Sequence, residues 1–169
     1  MNTKPEPVYP IVENIPEELT RLDQWVNWFW KLDGDKYTKP LIDPKTLKGG
    51  SHSDPSTWGT FEQALNKLNN HKWLAGIGFA FSENDPYAGI DLDDCRNTET
   101  GEITPFALSI IHKLNSYTEI SPSQRGVKII VKGRLPEYVS EGGGKNEELR
   151  IEVYDRKRYF TITGQVLDV

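Results

Sequence analysis

The chain has 169 residues, 36% hydrophobic and 11% aromatic, enough apolar material for one domain with a substantial core. Its 20 Lys and Arg against 25 Asp and Glu give a formal charge of −5, which excludes a general basic field for nucleic acid or anionic membrane, so any nucleic acid must be gripped locally. The single cysteine, Cys95, excludes an internal disulfide and a multi-cysteine zinc site; with no signal peptide or long apolar run, the expected place is the cytoplasm of a bacterial or archaeal host cell, with no membrane partner.

In chain order, residues 1–12, which include "MNTKPEPVYP", are expected to be a mobile arm and residues 13–169 a single domain. A short helix is predicted over "PEELTRL", where Pro16 suits a first turn and Glu17 and Glu18 the positive end of the dipole. The aromatic run "QWVNWFW" has strand propensity and ends at a turn-like "DGD", after which "KPLIDPKTLKGGSHSDPSTW" reads as an extended connection. In "TFEQALNKLNN" Thr60 and Gln63 can close a capping box, and Phe61, Ala64, Leu65 and Leu68 form one apolar stripe of a helix. "AGIGFAF" and "YAGIDLDD" read as strands joined by "SENDP", and "TPFALSIIHKL" as a helix with Ala107, Ile110, Ile111 and Leu114 on one face. "SEGGGKNEE" is expected to be a surface loop. "VKIIVKG", "LRIEVYD" and "RYFTITG" are strands, the last two as close as in a hairpin. The expected class is α+β, several strands with at least two helices on one side. Trp25, Trp28, Trp30, Trp58 and Trp73 read as core or cleft-wall packing, Asp94 as a turn at a strand end, and Cys95 as a small residue at least half-buried.

Strand side chains alternate between faces, so in "GIDLDD" Ile90 and Leu92 point one way while Asp91 and Asp93 point the other, roughly 7 Å apart. The same parity sets Ile151 and Val153 against Arg150, Glu152 and Tyr154, and Val127, Ile129 and Val131 against Lys128 and Lys132. Neighbouring carboxylates repel unless a cation or several donors lie between them. One reading is a solvated strand end with surface acids; the other is a site of hard oxygen ligands for Mg²⁺ or Mn²⁺. The loop Ser121, Pro122, Ser123, Gln124, Arg125 and Gly126, entering the strand of Lys128, likewise reads as an ordinary turn or as an anion nest for a polyphosphate.

From "QWVNWFW" through "TKPLIDP", "DPSTWGTFEQAL", "GIGFAF", "GIDLDDC" and "SYTEISPSQRGVKIIVKG" to "IEVYDRKRYFTITG", the chain resembles the N-terminal primase-polymerase domain of phage and plasmid replication proteins, within the archaeo-eukaryotic primase superfamily. The resemblance implies an RNA-recognition-like sheet with a catalytic face. It places the first motif's Asp-x-Asp on Asp91 and Asp93 and the third motif's acid on Glu152, together a two-metal site for Mg²⁺ or Mn²⁺. The second motif, a small residue, any residue, then His, falls on Gly126, Val127 and Lys128, with lysine in the histidine's place. Ser121, Ser123, Arg125, Gly126, Lys128, Arg158 and Thr163 would contact the nucleotide. The implied reaction is template-directed transfer from nucleoside triphosphates to a 3′-hydroxyl in DNA replication, extending primers, with primer synthesis left open beside it. The implied partners are a single-stranded DNA template, a primer, nucleoside triphosphates, and a C-terminal helical subdomain and helicase in a longer protein.

Lys128 keeps a second class of function open, a catalytically degenerate primase-like module that binds nucleic acid or nucleotide. A rolling-circle nuclease needs paired histidines, whereas His52, His71 and His112 are scattered. A glycosyltransferase also uses Asp-x-Asp, but its Rossmann-like succession of strand and helix units is not what these elements form.

Overall fold

The computed structural model describes residues 3–169; Met1 and Asn2 of the expected arm lie outside the described residues. In chain order the elements are helix α1 (Glu17–Thr20), strands β1 (Trp25–Trp28), β2 (Lys31–Asp33), β3 (Lys36–Thr38) and β4 (Leu41–Ile42), helix α2 (Phe61–Asn70), strands β5 (Gly76–Phe81) and β6 (Tyr87–Leu92), helix α3 (Pro105–Leu114), and strands β7 (Tyr117–Ile120), β8 (Val127–Lys132), β9 (Gly143–Asn146), β10 (Ile151–Tyr154) and β11 (Arg158–Ile162). The class is α+β with antiparallel pairing.

Local chemistry places the helices where the sequence predicts them. Thr60 Oγ1 accepts from the Gln63 amide at 3.1 Å while Gln63 Oε1 accepts from the Thr60 amide at 3.0 Å, so two donors at the start of α2 are satisfied reciprocally. Thr104 caps α3, Pro105 occupies its first turn, and Asn115 ends it at a φ of 43°. Ala64 and Leu68 of α2 are buried with Trp25, Ile77 and Phe79, whereas Ala107 and Ile111 of α3 are buried with Ile90, Leu92, Val127 and Ile129. Each helix thus covers a different set of strands.

The reason is that the strands divide between two sheets, in the orders β11-β5-β1-β4 and β7-β8-β6-β10-β9, with β2-β3 as a separate ribbon. The expected hairpin between "LRIEVYD" and "RYFTITG" does not form: β10 belongs to the second sheet, while β11 pairs with β5, Phe160 opposite Phe79. The link lacks the Gly or Asn that a tight hairpin turn favours. Instead the fully buried Asp155 accepts from the Leu135 amide at 3.1 Å and from Arg156 Nε at 3.0 Å, and Lys157 takes a φ of 53°, fixing a crossing point between sheets. "DGD" is the tip of the β2-β3 ribbon, with Gly34 at a φ of 62°, the extended connection contains β4, and "SEGGGKNEE", expected as a loop, supplies β9 because its backbone pairs with β10.

The two sheets meet through Phe79, Phe81, Phe160 and Ile162 on one side and Tyr87 and Ile130 on the other. Gly89 lies in this seam, where a Cβ would run into the rings of Phe81 and Phe160. Trp25, Trp28, Trp30 and Trp58 are buried, as core packing requires, whereas Trp73 is 43% exposed. Of the N-terminal segment, the Val8 amide donates to Ala75 O at 2.6 Å and the Ile11 amide to Thr163 O at 3.0 Å, so this stretch lies along the body. No helix among the described residues is long and apolar enough to cross a membrane.

A buried carboxylate clasps the sheets together at one end. Glu119 of β7, with no exposed surface, accepts from the Thr163 and Gly164 amides, each at 2.9 Å, and from the Tyr117 hydroxyl at 2.7 Å. Burial pushes its carboxyl pKa up, opposed by those three donors and by the charge of Lys128. A carboxyl raised in the folded state stabilises fully below its unfolded pKa and loses that contribution as pH rises through the folded value. Glu119→Gln turns an amide NH₂ toward donors, so it is expected to cost about 1–3 kcal/mol and to flatten the decline of stability with rising pH. Urea unfolding at several pH values reads both; an unchanged midpoint and slope would show that the clasp contributes nothing net.

Candidate active site

Antiparallel register builds the site. Glu119, Lys128, Asp91, Glu152 and Lys145 are opposite one another on five successive strands, β7, β8, β6, β10 and β9. Side chains in such a row share a face, and Asp93 shares it by lying two residues from Asp91. The same face carries Tyr87, Gly89 and Ile130 further along, where it packs against the other sheet. One face is therefore apolar at one end and charged at the other. The parity read from the sequence holds for the ionic residues, but the face is half core, because Gly89 and Ile130 admit the phenylalanines of β5 and β11.

At the charged end the sheets part around a cleft of about 520 Å³. Asp91, Asp93, Lys128 and Glu152 form one wall, Tyr159, Phe160 and Thr161 of β11 with Arg158 another, Ser121 and Ser123 a rim, and Thr38 and Lys39, leaving the ribbon, the opposite rim. Seven of the expected site residues therefore converge. Three do not line the cleft. Arg125 turns outward to Asp94 at 2.8 Å; Gly126 lies beneath the loop, where a Cβ would approach Leu92 O to 2.6 Å; Thr163 is fully buried, its hydroxyl donating to Ile120 O at 2.7 Å.

The loop is also not an open nest of amides. The amides of Ser121, Gln124, Arg125 and Gly126 all donate within the turn, to Gly126 O, Ser121 O, Ser123 Oγ and Ser121 Oγ respectively. What it offers the cleft is two hydroxyls, Ser121 and Ser123, 3.0 Å from each other.

Each carboxylate has a distinct environment. Lys128 Nζ pairs with Asp91 Oδ2 and lies 4.5 Å from the centre of the Phe160 ring, with little exposure of either charged side chain. The other Asp91 oxygen, Oδ1, is buried with no hydrogen-bond partner among the described residues, and so is the Thr161 hydroxyl. Burial, and then the charge of Asp91, push the Asp93 carboxyl above the usual range, with Lys128 opposing. Glu152 behaves oppositely: burial acts to raise it, but hydrogen bonds from Arg158 at 3.2 Å and Tyr154 at 3.1 Å, with Lys145 at 3.4 Å, hold it below the usual range. Asp94, outside the cleft, has a φ of 49° and is paired with Arg125 and Arg150, a strand-end turn as expected. Cys95 is buried, its thiol donating to Leu92 O at 3.3 Å.

Among the described residues, no three His, Cys, Asp or Glu side chains are grouped as a metal site. The donor chemistry nevertheless fits a hard divalent cation at Asp91 and Asp93: one buried carboxylate oxygen lacks any partner among the described residues, and the adjacent carboxylate is held at a cost by burial and by that charge. Glu152 is engaged by cations on both its oxygens.

Lys39, Thr38, Tyr159 and Thr161 are cleft residues that the sequence did not single out. Lys39 sits in "TKPLIDP", where a lysine before a proline carries no periodic signal. Glu119 had one: an acid inside a short strand, on the parity of Tyr117.

No protein-family model matches the chain. The DNA primase-polymerase of Nitratiruptor phage NrS-1 is 36% identical to it over 150 residues, which are 89% of this chain and 20% of that protein. The chain therefore spans about a fifth of the length of this relative. The match takes in most of the chain, which is thus related to a segment of that phage DNA primase-polymerase.

Proposed function

We propose that the cleft is the nucleotidyl-transfer site of a template-directed DNA polymerase that can also make primers. The observation that carries this reading is the register of β8, β6 and β10, which sets Lys128, Asp91 and Glu152 side by side, with Asp93 next to them, on the wall of a nucleotide-sized cleft. The relationship to a phage primase-polymerase supports the same chemistry.

In this reading Asp91 and Asp93 would hold Mg²⁺ or Mn²⁺, with Glu152 beside them as a further carboxylate. A bound divalent cation would lower the pKa of a primer 3′-hydroxyl and neutralise charge on the departing pyrophosphate. The residues of the chain do the rest. Lys128 and the Ser121 and Ser123 hydroxyls hold phosphate oxygens by charge and hydrogen bond. Arg158, half-exposed and stacked 4.6 Å from the Tyr154 ring centre, supplies a further cation at the cleft edge. The aromatic wall of Tyr159 and Phe160 excludes water from one flank.

The test is incorporation of labelled deoxynucleotides into a primed single-stranded template with Mg²⁺ or Mn²⁺. One observation favours a second reading: Asp91 already has a counterion in Lys128. A cleft that only binds nucleotide would keep that pair. Nucleotide binding without any incorporation would select the binding module over the enzyme.

A further inference from the structure

Among the described residues three cations line the cleft, and two of them have carboxylate partners: Lys128 with Asp91, and Arg158 with Glu152. The third, Lys39, has no ion pair among the described residues. Its position is nonetheless strongly determined. The Tyr159 hydroxyl donates to the Lys39 carbonyl, and the ammonium lies 5.1 Å from the centre of the Trp30 ring, which is itself buried and anchored through Nε1 to Glu6 O at 3.1 Å.

A half-buried ammonium held over an indole face, with no carboxylate, is prepared for an anion that arrives from outside. Lys39 and Lys128 line one cavity and repel each other; that repulsion, after burial, holds the Lys39 pKa below its ordinary value, while Asp91 and Asp93 act the other way. An anion between the two lysines would relieve the repulsion and complete a ring of donors with the serine hydroxyls.

We propose that Lys39 is a phosphate-binding residue for the incoming nucleoside triphosphate, gripping its phosphates from the ribbon side while Lys128 and the serine loop grip them from the sheet side. This rests on the reading of the cleft as a nucleotide site. The small-molecule occupant is favoured over a template strand because Lys39 lines the cavity, its ammonium near enough to Lys128, Asp91 and Asp93 to feel their charges, whereas the exposed ribbon lysines Lys31 and Lys36 are not among the residues that line it.

The experiment compares the parent chain with Lys39→Met, which keeps an unbranched stem over Trp30, and Lys39→Arg, which keeps the charge. Calorimetric titration with inorganic triphosphate and with a single-stranded oligothymidylate separates phosphate tail from strand. Lys39→Met is expected to weaken triphosphate binding about tenfold to a hundredfold and leave oligothymidylate affinity in place, with Lys39→Arg recovering part of the loss. In primer extension the nucleotide KM should rise more than kcat falls. Unchanged triphosphate affinity in folded Lys39→Met, or a loss confined to the oligothymidylate, overturns the assignment and leaves the cleft reading standing. A folded parent chain that binds no triphosphate overturns both.

Discussion

Asp93→Asn is expected to reduce nucleotidyl transfer by about a thousandfold or more while leaving the fold intact. Charge stabilisation by a cation held between carboxylates is worth several kcal/mol, and about 4 kcal/mol corresponds to about a thousandfold in rate. The fold should not suffer, because the carboxyl of Asp93 is raised by burial and by Asp91, so its charge opposes the folded state in the absence of a cation. Asn removes that charge at nearly constant volume. Urea unfolding in EDTA should give a midpoint equal to or slightly above the parent's. Transfer within tenfold of the parent, in a variant that unfolds normally, would remove Asp93 from the site.

Lys128→Ala should have effects of opposite sign on two ligands. With Lys128 gone, nucleotide binding loses a charge-assisted hydrogen bond, about 1.5–3 kcal/mol or a ten- to hundredfold rise in KM. Asp91 meanwhile loses its buried counterion, and removing one partner of such a pair costs about 3–5 kcal/mol of stability. A divalent cation can take the lysine's place. Mn²⁺ should therefore bind the variant more tightly than the parent and restore much of its lost stability, since binding to the folded state alone shifts unfolding by mass action. Calorimetry and thermal unfolding with and without Mn²⁺ read the two effects. Weaker Mn²⁺ binding in the variant would mean that lysine and cation do not compete for Asp91. Lys128→His, charged at acidic pH and losing charge through neutrality, should recover part of the nucleotide affinity, most at low pH.

Much of the geometry of the candidate site is legible because strand parity is a local rule. Asp91, Asp93, Lys128 and Glu152 were placed on one face by counting residues, and the register of β8, β6 and β10 brings them together. The capping box of α2 and the stripe of α3 were equally local, although the stripe is buried only at Ala107 and Ile111 and its last member, Leu114, is exposed. The division into two sheets was not. Whether β10 and β11 pair with each other depends on Asp155 meeting Leu135 and Arg156, contacts between distant or unpatterned positions. Thr163 illustrates the consequence: it resembles a nucleotide contact in "TITG", yet its amide and hydroxyl belong to the clasp with Glu119 and Ile120. Lys39 enters the cleft from a ribbon whose path no periodicity reports, and the serine loop looked like an anion nest because composition does not show where its amides point.

The most direct measurement is a crystal structure of the chain with a nucleoside triphosphate and Mn²⁺, located by anomalous scattering. The account predicts Mn²⁺ coordinated by Asp91 Oδ1 and Asp93, phosphates between Lys128 and Ser121 or Ser123, and the Lys128–Asp91 pair broken. Mn²⁺ and nucleotide bound elsewhere on the molecule, with that pair intact, would contradict it.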